Sequence, residues 1–303
     1  MKKVMQQILN YFGYSLTKTN KKYLFKKDVE IKVGNFSLQM PSINPLIYTY
    51  TNKKDFSSEL GIILKQVLIK YKNLTVIDVG ANVGDSVAII KSTADVPVIS
   101  IEGDPFTFSY LQKNIAQFKN VEILNNFLGE RDEVMNLTFD KKGWNTTLIP
   151  SKNEKDQQVQ IVSLDSLLNQ HFNNKENFKL LKIDTEGFDT IIIRGALKII
   201  EETRPVIYFE YNRDNMQTIN ENGFLTLLKL KESGYNKVLF YDDTGKFLLS
   251  TTLSEKILLN QLHNYADGKS SLIYYYNLCV FHSFDNDIAD RLIDLEMTKS
   301  TKI

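Results

Sequence analysis

Short apolar runs alternate with stretches whose apolar residues recur at helical spacing, and this alternation organises the chain from about residue 56 onward. The runs at 75–79, 98–101, 121–124, 178–183 and 206–209 read as buried strands, the fourth broken only by Lys179 and Lys182. Between them lie helical patterns. One starts near Gly84 and carries Val87 and Ile90. The next opens with Asp104-Pro105, with proline at the first helical position, and carries Phe108, Leu111 and Ile115. A third begins over 164–168, and a fourth spans 190–201. Strand and helix taking turns in this way imply an α/β fold with a parallel, doubly wound sheet. Ahead of it, Leu60, Ile63, Leu64, Val67, Leu68 and Tyr71 predict a helix over 56–71. Behind it come a helix over 223–233, then strands over 237–241 and 247–249 around the turn Asp243-Thr244-Gly245. A helix over 253–266, a strand over 278–282 and a helix over 288–297 complete the chain.

Two regions depart from that rhythm. Residues 1–55 read as an N-terminal extension to a domain over 56–303. In the extension, 30–33 and 36–40 alternate around Gly34-Asn35 as a hairpin, and Pro41 and Pro45 end it. Val4, Met5, Ile8, Leu9 and Phe12 share a helix face there. That face offers contact to a membrane surface, with Lys2, Lys3, Lys18, Lys21 and Lys22 beside it; packing on its own domain or on a partner subunit is the expected role. The second region is an insertion: 134–139 and 159–162 have strand periodicity and flank a polar stretch, predicting a hairpin with a long loop over 140–158.

Composition narrows the class. Of 303 residues 43% are hydrophobic and 24% charged, as in ordinary globular domains. The 37 basic and 36 acidic residues nearly cancel, so no global field recruits nucleic acid. Cys279 is the single cysteine, which excludes an intrachain disulfide and fits a reducing, cytoplasmic setting; its apolar neighbours predict core packing. No apolar run approaches the roughly 20 residues that span a bilayer, and the N-terminus lacks the apolar core and cleavage site of a signal peptide.

The chemistry concentrates at strand ends. Asp78-Val79-Gly80-Ala81-Asn82-Val83-Gly84 runs from the first parallel strand into a tight turn, and Glu102 follows Gly84 by eighteen residues at the end of the next strand. A dinucleotide fingerprint would be G-x-G-x-x-G. Here Asn82 takes the place of the second glycine, which suits a ligand with ribose and adenine but no phosphates, such as S-adenosylmethionine (SAM). Glu102 can accept both ribose hydroxyls. Asp78 either meets the ligand's ammonium or holds the turn by accepting N–H bonds. Asn82 tolerates the left-handed conformation that a tight turn needs. Asn125 and Asn126 end the third strand, and Asn126 joins Gly80, Asn82, Gly84, Asp78 and Glu102 as a cofactor candidate.

Asp184, Glu186 and Asp189 leave the fourth strand within six residues. Asp184 or Glu186 can take a proton from a hydroxyl or join other oxygens around a divalent cation; helix capping is the structural alternative and suits Asp189 best. Glu210 and Asn212 end the fifth strand. No His-rich set accompanies these acids, so no metal site is expected. His263 and His282 have the ordinary pKa range of a general base, but all three histidines, with His171, are structural by expectation. Trp144 either stacks on a ligand or anchors its loop. Tyr274-Tyr275-Tyr276 and Phe284 are expected in the core or an interface. An ordinary strand–turn–helix with no ligand explains the glycines too.

Taken in order, Asp78 to Gly84, Glu102-Gly103-Asp104-Pro105, Val162-Ser163-Leu164-Asp165, Lys182 to Gly187, Arg194-Gly195-Ala196 and Pro205 to Glu210 resemble the FkbM-type SAM-dependent methyltransferases, with Gly234-Tyr235 as a later helix-to-strand turn. The resemblance implies a class I methyltransferase fold, with a seven-stranded sheet whose last strand is antiparallel. It also implies O-methylation of a sugar, glycan or secondary metabolite. On that reading Asp184 and Glu186 serve catalysis, the partner is a small-molecule or glycan acceptor, and a homo-oligomer is compatible. The rival enzyme class is a nicotinamide-dependent oxidoreductase; the rival without catalysis is a degenerate α/β binding module.

Overall fold

The computed structural model describes residues 27–52, 57–142, 145–150, 157–266 and 272–300, with the side chains of 137–142, 145–150, 157 and 300 left aside. The N-terminal amphipathic helix and Trp144 lie outside the described residues. The period-2 segments after residue 27 form the expected hairpin, β1 (Asp28–Val33) against β2 (Phe36–Pro41). Alternation buries Val29, Ile31 and Val33 on one side, with Leu38 and Met40 from β2, in the same core as the helices Ser58–Lys70 and Asp85–Thr93. The buried Asn114 amide ties this hairpin to the domain. Its Oδ1 accepts from Gln39 N at 2.8 Å, and its Nδ2 donates to the Gln39 and Val83 carbonyls at 2.8 Å each.

The first three largely apolar runs become β3 (Thr75–Val79), β4 (Val98–Ile101) and β5 (Val121–Leu124). The insertion follows, as β6 (Phe127–Gly129), β7 (Glu133–Lys142), β8 (Asn145–Pro150) and β9 (Gln157–Ser163). Then come β10 (Phe178–Ile183), β11 (Val206–Tyr211), β12 (Tyr235–Asp242), β13 (Phe247–Thr252) and β14 (Tyr276–His282). The main sheet runs β13-β12-β14-β11-β10-β3-β4-β5. β5, β4, β3, β10 and β11 are parallel, and β14 enters antiparallel between β11 and β12. One core covers each face of the sheet. The fold is the doubly wound, mostly parallel α/β sheet with an antiparallel last strand; β13 makes it eight strands rather than seven.

Two expectations need correction. The loop over 140–158 contains a further strand: β8 pairs antiparallel with β7 from Leu137↔Pro150 to Lys142↔Asn145, inside a separate sheet β6-β9-β7-β8. Thr146, Thr147 and Ile149 supply the β-branched residues that a strand favours, which a reading by polarity overlooks. The helix over 190–201 is two, Asp189–Arg194 and Leu197–Thr203. The break is at Gly195, where a Cβ would stand 2.1 Å from the Gly129 carbonyl oxygen. Asp165 starts the second helix, its carboxylate accepting from Lys198 N at 3.1 Å and Ile199 N at 2.9 Å. Among the described residues, no helix is long and apolar enough to cross a membrane.

Candidate active site

Parallel strands end together, so the loops leaving β3, β4, β5, β10 and β11 share one edge of the sheet, where open α/β folds bind ligands. A cavity of about 400 Å³ opens there. Gly80, Asn82, Glu102, Asn126, Asp184 and Glu186 all line it. The other two cofactor candidates stand behind its wall. Asp78 is fully buried, with Oδ1 3.1 Å from Lys182 Nζ and Oδ2 accepting from Ser86 Oγ at 2.5 Å. Its partners are thus a side-chain ammonium and a hydroxyl, and none of the described hydrogen bonds brings it a backbone N–H of the turn. Gly84 (φ 92) stands at the N-cap of Asp85–Thr93, facing Leu111 and Ile115.

The turn is built from below. Gly80 has φ +71, and a Cβ there would come within 1.9 Å of the Asp184 carbonyl oxygen, so the turn and the loop after β10 pack backbone to backbone. Lys182 lies in register with Asp78 and reaches under this junction, donating to the Gly80 carbonyl at 3.0 Å. Burial works against its charge, yet the Asp78, Asp184 and Asp85 carboxylates outweigh burial and push its pKa above the ordinary value. Lys182 was legible only as a lone lysine in a buried apolar strand. Next, Asn82 takes the left-handed conformation (φ 49) and presents its N–H to Glu102 Oε2 at 3.0 Å. Asp104 N donates to Glu102 Oε1 at 2.9 Å, while Asp104 Oδ1 caps Pro105–Ile115 through Thr107 N. Burial still dominates at Glu102 and pushes its pKa up to about 7.

The loop after β10 carries the second cluster. Glu186 sits at φ 53 and accepts from Asn215 Nδ2 at 2.8 Å. Asp189 is fully buried and gathers Thr185 N, Thr185 Oγ1 and Gly187 N onto Oδ2 at 3.3–3.4 Å, so it holds the loop rather than lining the cavity. Burial, then the Asp184 charge, pushes it up to about 7. Glu210 at the end of β11 is likewise raised, by burial and by the charges of Asp184, Glu186 and Asp189. Sequence reading missed other lining residues: Glu59, Asp85, Tyr208, Asp243 and Tyr275 also line the cavity. Tyr275 was expected in the core or an interface; only Tyr276 beside it is fully buried.

The histidines lie elsewhere. His263 is buried with Nδ1 2.7 Å from the Tyr211 hydroxyl, and burial lowers its pKa to about 4. His282 is buried at the end of β14 and accepts from Phe284 N at 3.2 Å. Cys279 is buried within β14. Among the described residues no group of three or more His, Cys, Asp or Glu could hold a metal ion.

The profile of the family described as Methyltransferase FkbM domain matches residues 78–237. The chain belongs to that family. The FkbM match begins at the buried Asp78 and ends in β12, so it takes in the turn, Glu102, the loop after β10 and Glu210. Solved structures similar to the chain are of low identity. The FkbM methyltransferase from Methylobacillus flagellatus KT is 17% identical over 59% of this chain, with a TM-score of 0.40. The matched part spans 43% of that protein, less than half. M. jannaschii TYW2, solved with AdoMet, is 12% identical over 86% of this chain and 88% of its own, at 0.40. The precorrin-6y C5,15-methyltransferase from Geobacter metallireducens GS-15 is 12% identical, covering 76% and 92%, at 0.38. No curated protein matches the chain.

Proposed function

We propose that this FkbM-family chain is a SAM-dependent O-methyltransferase acting on a hydroxyl of a sugar, glycan or secondary metabolite in the cytoplasm. One observation carries the choice of cofactor: the cavity wall at the ends of β3 and β4 offers carboxylates and, among the described residues, no free cation. Glu102, Asp104 and Asp85 line that end. The only basic lining residue among those described is Lys182, already engaged by Asp78 and the Gly80 carbonyl. The nicotinamide reading is disfavoured by the turn itself, where Asn82 stands in place of the second glycine of G-x-G-x-x-G. A phosphate-free, net cationic nucleoside fits the donor set.

Glu102 would hold the ribose, with Gly80, Asn82 and Asn126 lining the same end. SAM supplies an electrophilic methyl: its C–S bond breaks as the acceptor oxygen bonds to the methyl carbon, and the electron pair stays on sulfur. Positioning contributes much of such a rate. The acceptor's hydroxyl proton passes to Asp184 or Glu186. Both carboxylates line the cavity.

The test is calorimetric titration with S-adenosylhomocysteine, with NAD in parallel. Micromolar binding of the first, lost in Glu102→Ala, supports the reading; binding of NAD alone overturns it, and binding of neither favours the degenerate module. Asp184→Asn combined with Glu186→Gln is expected to lower turnover about 10²–10⁴-fold while S-adenosylhomocysteine still binds. Unchanged turnover would remove both acids from proton transfer.

A further inference from the structure

The cavity extends well past the cofactor end. Counting strands from β4 across β3 and β10 to β11, the Glu210 end lies roughly 14 Å from the Glu102 end. A third group of carboxylates, Glu59, Glu210 and Asp243, lines this far part. Glu59 comes from the first turn of Ser58–Lys70 and is only 4% exposed. The Tyr208 hydroxyl donates to its Oε1 at 2.8 Å, and Tyr208 shares a face of β11 with Glu210. Glu59 Oε2 is buried at the cavity wall with no hydrogen-bond partner. The turn from Asp242 to Gly245 closes on that same oxygen: a Cβ on Gly245 would stand 2.3 Å from it. Burial raises the Glu59 pKa, with Glu296 and Asp242 adding to the rise. A buried carboxylate oxygen without a donor is costly, and a cation supplies what it lacks.

None of the described lining residues provides that cation. Lys182 is spent beneath the cofactor turn, and no other basic side chain among the described residues reaches the cavity. We propose that the acceptor bears a protonated amine beside the hydroxyl that is methylated, as an amino sugar does, and that Glu59 Oε2 receives this ammonium. The proposal rests on the methyltransferase reading above. Tyr208 fixes the carboxylate, and Asp243 adds negative charge at the rim. The same field repels acceptors carrying phosphate, sulfate or carboxylate.

The test uses protein saturated with S-adenosylhomocysteine, titrated calorimetrically at pH 6.5 with glucosamine, N-acetylglucosamine and glucuronate. Glucosamine is expected to bind at least about tenfold more tightly than N-acetylglucosamine, as a close charge pair provides, with glucuronate weakest. Glu59→Gln keeps an acceptor for the Tyr208 hydroxyl and should bring glucosamine down to the N-acetyl level with S-adenosylhomocysteine affinity unchanged. Should that variant fail to fold, Asp243→Asn reads the same charge preference from the rim and should narrow it. Equal or tighter binding of the neutral or anionic sugar overturns the proposal. So does a glucosamine affinity that Glu59→Gln, or in its place Asp243→Asn, leaves untouched, or no binding by any of the three sugars. Failure to bind S-adenosylhomocysteine at the outset is a different result, and it removes the methyltransferase reading itself.

Discussion

Above β3 and β4 the carboxylates are pinned. Glu102 accepts Asn82 N and Asp104 N on separate oxygens, Asp104 accepts Thr107 N, and Asp78 is clamped by Lys182 and Ser86. Above β11 and β12, in the same cavity, Glu59 and Glu210 each keep one buried oxygen with no hydrogen-bond partner. The pinned half is organised before any ligand arrives, because backbone N–H groups set Glu102 and Asp104, and Lys182 and Ser86 set Asp78. The open half retains the cost of desolvated oxygens, about 1–3 kcal/mol for each unsatisfied group. A ligand that brings donors relieves that cost. Rigid geometry therefore suits a ligand of one fixed shape, and open acids suit a ligand chosen by charge.

The sharpest way to break this contrast is to remove one member from each half and compare stability. Lys182→Met leaves Asp78 charged, buried and unpaired, which is expected to cost about 3–5 kcal/mol. Glu59→Gln removes a buried charge that has no counter-ion and keeps the Tyr208 hydrogen bond, so stability should hold or rise. Urea unfolding of both variants checks this. Similar losses in the two would mean that Glu59 is as firmly paired as Asp78.

A smaller effect is read from pH. Glu102 rises from its ordinary 4.5 to about 7 in the folded protein, through burial. Between those values the folded state keeps a proton that the unfolded chain has released. Its contribution to stability is therefore full below pH 4.5 and is lost as pH rises toward 7. Asp189, also raised to about 7, acts in the same direction. The ligand-free protein should lose stability as pH rises from 5 to 7, and the Glu102→Gln variant should show a shallower fall. An equal slope in that variant would show that Glu102 ionises in the folded protein at its ordinary pH.

The same division explains what the sequence made legible. The pinned half is local: Gly80, Asn82 and Glu102 stand on consecutive strand–turn–helix units, and glycine, asparagine and an acid at those offsets have direct backbone consequences. The parallel sheet was legible for the same reason, since each of its strands is a short, largely apolar run. The open half is assembled from Glu59, Tyr208, Asp243 and Tyr275, which are far apart in the chain and sit in ordinary amphipathic settings. Only the strand order brings them together, and strand order is a property of long-range pairing. Lys182 falls between the cases. Its conflict with a buried strand was visible, and its partner Asp78 became so once β3 and β10 were known to be neighbours.

The smallest expected effect lies at the boundary between the halves. Glu186 stands in a left-handed conformation (φ 53) just ahead of Gly187, and Asn215 Nδ2 holds its Oε2 from the helix Arg213–Thr218. Such a conformation costs on the order of 1–3 kcal/mol for a residue with a side chain, so the neighbouring contacts are what keep the carboxylate on the cavity wall. Asn215→Ala removes one hydrogen bond to a charged group, worth about 1.5–3 kcal/mol at most in a site only partly closed to water. If Glu186 serves the acceptor's proton, kcat should fall several-fold, while S-adenosylhomocysteine affinity, set in the pinned half, stays the same. A loss of S-adenosylhomocysteine affinity in Asn215→Ala would instead tie Glu186 to the cofactor and erase the division between the two halves at that residue.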